Sequence, residues 1–381
     1  MRVLIAPDKF AGTLSAAAAA DAIATGWHRT SPGDELELVP LADGGPGFVE
    51  VLHASLGGSL VERTVTGPLG DPVPAAVLLA AGTAYVEAAQ ACGLHLVPAA
   101  RRDPTRTTTY GVGELIDAAL RAGAGRIVVG LGGSATNDAG AGMLAALGAL
   151  ARDASGAVVT EVLGGGGLGL RRVAALDLAE PRRRLAGVRL QAASDVDNPL
   201  LGLRGATNGF AVQKGASREQ VMALEGSLVS FAAAAGRRPD GKDPAVALGA
   251  GAAGGLGYGL LALGAERAPG IDTVLAAVGL PARIGRSDLV ITGEGSFDWQ
   301  SLRGKVVSGV AGLALAQGRA VLVLAGRVEV DAREYRPAGI SGAYSVVADL
   351  AERGLGEQSA FDQPAARLAD LAARAARTWS R

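Results

Sequence analysis

Residues 126–142 read RIVVGLGGSATNDAGAG, and the order of residue types in this stretch decides the fold class. Ile127, Val128 and Val129 make a short apolar run of the kind that fills a buried strand, and Gly130, Gly132, Gly133 and Ser134 follow at once. Small residues then lead into a helix that continues through residues 143–147. Strand, glycine loop and helix in this order form a corner of an open α/β sheet. Glycines without Cβ let backbone approach a ligand, and the free N–H groups at a helix start favour an anion. The loop therefore reads as a phosphate cradle. Thr136, Asn137 and Asp138 add hydroxyl, amide and carboxylate groups, which suit a nucleotide phosphate with Mg2+.

Outward from this corner the same grammar recurs. Strands at 3–6 and 36–41 alternate with helices at 15–30 and 48–56. Near the other end, strands at 289–292, 320–324 and 344–347 alternate with helices at 305–317 and 363–379. Neither terminal piece alone makes a sheet of about five strands, whereas together they do. The reading is an α/β protein of two domains: a doubly wound domain built from residues 1–62 and 286–381, and a mixed α/β domain inserted at 63–285. Short β segments at 61–66, 73–79 and 83–87 open the insert, with Gly-Pro and Asp-Pro turns between them. A strand at 188–193 and a helix at 218–235 follow, and the glycine run within 163–170 reads as a flexible turn.

Composition narrows the function classes. The chain has 381 residues, 49% of them apolar, and a formal net charge of −1. With basic and acidic residues interleaved, it has no stripe for nucleic acid and no polybasic membrane anchor. No apolar run suggests a signal peptide or a membrane span, so a cytoplasmic location is expected. The single cysteine, Cys92, excludes an internal disulfide and a multi-thiolate zinc site. Of 36 cations only Lys9, Lys214, Lys242 and Lys305 are lysine. In a chain so rich in arginine, lysine marks places where a compact charge is wanted, as at a phosphate or a carboxylate. Two other motifs fail. Gly236 to Lys242 has P-loop spacing, but Asp243 stands where Ser or Thr would hold Mg2+, and Gly249, Gly251 and Gly254 match a dinucleotide fingerprint with no strand before them.

Carboxylates gather at expected strand ends. Asp195 and Asp197 follow the strand at 188–193, and residues i and i+2 of extended chain project to one side, so the pair invites a cation or a shared proton. Glu294, Asp298 and Lys305 follow the strand at 289–292. Asp8 and Lys9 end the first strand, and Asp43, Gly44 and Gly45 end the second. Ligand sites of open α/β sheets lie at these carboxyl ends, so four Gly/Asp loops are expected to converge on one cleft.

The motifs PDKFAGTLSA (7–16), LADGGPG (41–47), GLGGSATNDAGAG (130–142), ASDVDNPLLG (193–202), QKGA (213–216) and ITGEGSFDWQSLRGK (291–305), in this order, resemble those of bacterial glycerate kinases of the type that forms 2-phosphoglycerate. The resemblance implies a flavodoxin-like domain carrying an inserted mixed α/β domain, ATP and Mg2+ as co-substrates, and D-glycerate as acceptor. On that reading Gly132, Gly133, Ser134, Asn137 and Asp138 hold ATP phosphates. Asp195, Asp197 and Asp138 hold Mg2+. Asp195, Asp197, Lys214 and Lys305 serve catalysis, and Lys9, Asp43, Gly44, Gly45, Glu294 and Asp298 hold the acceptor. One of Asp195 and Asp197 acts as base or metal ligand, with the two roles undivided. The chain departs from the family pattern at Ala11 and Pro46, where a basic and an acidic residue are usual. These departures motivate an alternative, a non-catalytic sensor of small hydroxy acids or a kinase for a related acid. The oligomeric state stays open, a homodimer included.

Overall fold

The computed structural model describes residues 1–380. Its strands, in chain order, are β1 (Arg2–Ile5), β2 (Glu35–Leu38), β3 (Ser59–Thr66), β4 (Pro72–Ala80), β5 (Thr83–Glu87), β6 (Arg126–Gly130), β7 (Leu150–Arg152), β8 (Ala175–Asp177), β9 (Arg189–Ala193), β10 (Glu266–Ala268), β11 (Leu289–Phe297), β12 (Ala320–Val328) and β13 (Gly342–Ser345). The chain divides into two compact units, one of Met1–Asp43, Glu50–Leu56 and Ile271–Arg381, the other of Gly44–Val49 and Gly57–Gly270.

The first unit holds a parallel sheet in the order β13-β12-β11-β1-β2. Counting only its own strands, this is the 2-1-3-4-5 order of the flavodoxin-like fold, so both ends of the chain build one sheet as the sequence implied. Val3, Ile5, Leu289, Ile291, Leu322 and Leu324 bury one face against helices Ala16–Thr30 and Pro364–Trp379. The Ser15 hydroxyl caps the earlier helix by accepting from the Ala18 N–H at 3.2 Å. The two helices cross so closely that a Cβ on Gly26 would lie 1.9 Å from the Ala369 carbonyl oxygen. Helix Val306–Ala316, which follows β11, does not join that cluster. It buries Val306, Val307 and Val310 instead.

The second unit holds a sheet in the order β10-β9-β6-β5-β4-β3. Strands β3, β4 and β5 are antiparallel neighbours, and the pairs from β5 to β10 are parallel. Buried Ile127 and Val129 of β6 join Val112, Leu115 and Ile116 of helix Tyr110–Arg121 in its core. The run at 163–170 is not a loose turn: it falls in two 3-10 segments, Thr160–Gly164 and Gly167–Arg172, whose Leu163 and Leu170 are fully buried. Glycine content had hidden those two core leucines.

The units change over at points other than the expected 62/63 and 285/286. Pairing of β3 with β4 begins at Ser59, which ties residues 59–62 to the second sheet. Ile271 lies where a Cβ on Gly309 would meet its Cγ1 at 2.9 Å, so helix Gly270–Ala277 packs on helix Val306–Ala316 of the first unit. Among the described residues, no helix is long and apolar enough to cross a membrane.

Candidate active site

In the first unit the carboxyl ends of β1 and β11 are laced together. The Asp8 N–H donates to the Gly293 carbonyl at 2.8 Å, and the Leu41 N–H donates to that of Pro7 at 2.8 Å. Asp8, Glu294, Asp43 and Lys9 thereby come to one sheet edge. Lys9 Nζ stands 3.7 Å from both Asp8 Oδ1 and Asp43 Oδ1. Burial pushes the Asp8 carboxyl up to about 6, helped by the Asp43 charge and opposed by Lys9. Glu294 is 8% exposed, and its Oε1 is buried with no hydrogen-bond partner. Burial pushes that carboxyl up to about 7, against the Ser301 hydroxyl and the Lys305 charge, while Asp8 and Asp298 push it further. A buried carboxylate with an unmatched oxygen is costly unless something arrives to use it.

Asp298 has a different job. Burial acts to raise its carboxyl, but the N–H groups of Ser301 and Gln300 and the Lys305 charge hold it below the usual range. Its Oδ1 accepts from Gln300 N at 2.8 Å and Ser301 N at 3.0 Å, so it folds the loop after β11 back on itself. That loop delivers Lys305 to the start of helix Val306–Ala316, where the Lys305 N–H donates to Ser308 Oγ at 3.0 Å.

The glycine loop of the second unit is covered on one side, while Gly133 stays exposed. Residues 44–46 cross over it: the Gly132 N–H donates to Gly44 O at 3.2 Å, and a Cβ on Gly132 would lie 2.3 Å from Gly45 Cα. The close approach that glycine permits is made by the chain itself. Glu87, at the end of β5, holds the crossing segment by accepting from the N–H groups of Gly47 and Val49 at 3.2 and 3.1 Å. The helix after the loop also starts later than expected, at Ala141, so its amino end does not meet Ser134.

Asp138 explains the delay, and its expected metal role is corrected. It is fully buried, and its two oxygens accept from Thr109 N (2.8 Å), Thr109 Oγ1 (2.8 Å), Gly142 N (3.2 Å) and Gly140 N (3.1 Å). This carboxylate anchors the start of helix Ala141–Ala146 and has no face open to a cation. Asn137 is likewise fully buried: its Nδ2 donates to Thr207 Oγ1 at 3.0 Å and its Oδ1 has no partner. Lys214 lies beneath the loop, 3% exposed, and donates to Ser134 Oγ at 3.0 Å and Thr136 O at 2.7 Å. Burial lowers its ammonium to about 8.

Asp195 and Asp197 lie past the end of β9 in irregular chain and are both exposed. Asp195 Oδ1 accepts from the Gly270 N–H at 2.9 Å. Asp197 Oδ1 pairs with Arg267 Nη2 at 2.6 Å. The cation expected beside these acids is thus an arginine of β10, a strand too short to read from pattern. Among the described residues no three His, Cys, Asp or Glu side chains gather to hold a metal ion, so the trio of Asp195, Asp197 and Asp138 is not assembled. Mg2+ commonly takes only one or two carboxylates and completes its shell with phosphates and water; the exposed Asp195 and Asp197 meet that lesser demand. Two residues of consequence escaped the sequence reading of the site, Glu87 and Arg267, and Asp8, read there as a strand-end carboxylate, was given no role of its own. A carboxylate closing an apolar run signals Glu87, and nothing in the local pattern signals Arg267.

A parallel sheet in one unit and a mixed sheet in the other, each with charged groups past strand carboxyl ends, make this an α/β fold of the kind that holds small ligands at those ends. The chain belongs to the glycerate kinase family, whose pattern matches residues 3–380. It is 45% identical over 350 residues to the glycerate kinase of Bacillus subtilis, covering 91% of this chain and 90% of that one. It is 41% identical to the glycerate 2-kinase of Escherichia coli K12, covering 95% and 94%. A solved structure from Salmonella typhimurium LT2, whose glycerate kinase 2 name is itself provisional, superimposes with a TM-score of 0.83 at 39% identity, covering 99% of this chain and 98% of the other.

Proposed function

We propose that the chain transfers the γ-phosphoryl group of ATP to the C2 hydroxyl of D-glycerate, giving 2-phosphoglycerate. The observation that carries this reading is the buried Glu294 oxygen with no partner, set beside Asp8 and the charge of Lys305 in a member of this family. Phosphoryl transfer asks a protein chiefly for positioning and charge. Glu294 accepts the hydroxyl proton as the C2 oxygen bonds to phosphorus, and ADP leaves with the electron pair of the broken bond. Lys305, at the amino end of helix Val306–Ala316, meets phosphate charge, and Lys9 with Asp43 orients the acceptor. Lys214 braces Ser134 and Thr136 from beneath, which makes it a positioning residue. Mg2+, when bound, neutralises phosphate oxygens, and Asp195 and Asp197 are the residues that would hold it.

The test is ADP release with ATP, Mg2+ and, in separate reactions, glycerate, glycolate, lactate or tartronate, with the product's phosphate position read by NMR. Glycerate-dependent ADP release and a phosphorus coupling to the C2 proton are expected. Glycerate binding without turnover would replace the kinase by a hydroxy-acid sensor, and coupling to the C3 protons would move the transfer to the other hydroxyl.

A further inference from the structure

A cavity of about 250 Å³ lies within the first unit, walled by Phe10, Leu14, Ser296, Arg327, Val346 and Phe361 among others. Its walls come from the carboxyl ends of β1, β11, β12 and β13, and from the helices beyond them. None of the residues assigned a role above lines it. We propose that this cavity receives the purine ring of the nucleotide. The proposal rests on the kinase reading and adds to it the place where the base is held.

Three observations lead there. The first is continuity with the charged edge. Phe10 directly follows Lys9, and Gly295 directly follows Glu294. Successive strand residues face opposite sides, so Gly295 opens toward the helices that cover Leu289 and Ile291, while Glu294 faces the side of helix Val306–Ala316. Helices Ala16–Thr30 and Val306–Ala316 leave neighbouring strands β1 and β11 by opposite faces, the topological switch point at which doubly wound sheets bind ligands. A nucleotide laid across this edge has its phosphates near Lys305 and its base in the cavity.

The second is size. Pockets for whole drug-sized ligands start at roughly 300 Å³, so this one admits a fused ring and leaves ribose and phosphates outside. The third is chemistry. Phe10 is 5% exposed on the inner wall, whereas Phe361 is 54% exposed, a large aromatic surface left to water. Aromatic and aliphatic walls suit the faces of a purine. Ser296 and Arg327 also line the cavity; the Ser296 hydroxyl lies 3.4 Å from Glu329 Oε1 and Arg327 pairs with Glu357. The Phe10 wall is preformed: the Phe10 N–H donates to Leu14 O at 2.9 Å and the Leu14 N–H donates back to Phe10 O at 3.0 Å.

The experiment uses the intact protein. 8-Azido-ADP is photolysed with it, with and without excess ADP, and the modified peptides are mapped. In parallel, Ala360→Trp, which fills the cavity, and Phe361→Ala, which removes its outer wall, are assayed with ATP and glycerate varied separately. Label within residues 10–14 or 346–368 that ADP suppresses, with the KM for ATP raised at least tenfold and that for glycerate within twofold, is the expected result. Should the tryptophan variant fail to fold, Phe361→Ala and the labelling carry the test. Label elsewhere with an unchanged KM for ATP overturns the base site while leaving the kinase intact. Suppressible label in the cavity of a protein without glycerate-dependent turnover removes the kinase reading and keeps the nucleotide site.

Discussion

Glu294 and Asp8 set opposite demands on stability and activity. Their carboxyls sit at about 7 and about 6 in the folded protein, above the ordinary 4.5 and 3.8, so folding favours the protonated forms. The stability this contributes is complete below the ordinary values and is lost as pH rises through the folded ones. Thermal melting from pH 5 to 8 should therefore show a falling stability, by about 1–3 kcal/mol for each such carboxylate. Activity should rise over the same window, because the role proposed for Glu294 requires its ionised form. Glu294→Gln should flatten the decline in melting temperature and lower kcat at least about a hundredfold; a variant as active as the parent would remove Glu294 from the chemistry. Asp195→Asn and Asp197→Asn should each also lower kcat by about a hundredfold when Mg2+ is limiting, and near-normal turnover in both would leave the pair as loop structure. Lys9, Asp43 and Glu294 were legible as site candidates because charged residues next to glycine at the end of an apolar run have few other uses. Asp8 was legible with them as a strand-end carboxylate, but its raised carboxyl was not, since how deeply a group is buried is set by packing that no local pattern reports.

Elements show what the spacing of the glycine loop leaves undecided. Spacing announces that something comes close to Gly132, but not whether it is a phosphate or the protein's own backbone, and here it is Gly45. Gly132→Ala should therefore destabilise the protein by more than about 3 kcal/mol even without nucleotide, because backbone on both sides must move; an unchanged melting temperature would reopen the loop as a ligand cradle. Asp138 makes the same point for a helix start. Replacing it with alanine strands the N–H groups of Thr109, Gly140 and Gly142, so a loss of about 2–4 kcal/mol is expected with the Mg2+ dependence of the remaining activity unchanged. A raised Mg2+ requirement in a variant of normal stability would restore the metal role. The long helices were readable because their apolar faces repeat. Strand β10, of three residues, was not, because so short a segment has no period and is defined only by pairing with β9.

At the scale of the molecule, β1 is the middle of a sheet whose other parts are far away in the chain. It pairs on one side with β2 and on the other with β11, and the Thr292 hydroxyl reaches back to Ala6 O across 286 positions. Most of the second unit is continuous, from Gly57 to Gly270. Pulsed hydrogen exchange during refolding of the full chain should protect Ile127–Val129 before Val3–Ile5, because the first sheet must close a much longer loop; the reverse order would show that the terminal segments find each other first. Synthesis lengthens the same wait. At about 5–20 residues per second, β1 leaves the ribosome roughly 15–60 s ahead of its partner, a bare apolar edge open to any other strand in the cell. Arg2 on one side of the VLIAP run and Asp8 with Lys9 on the other are the kind of flanking charges that hinder such wrong pairings. Asp8 and Lys9, at the carboxyl edge of the finished sheet, would on this account also guard the nascent chain, and their removal should be felt as aggregation during expression before it is felt in turnover.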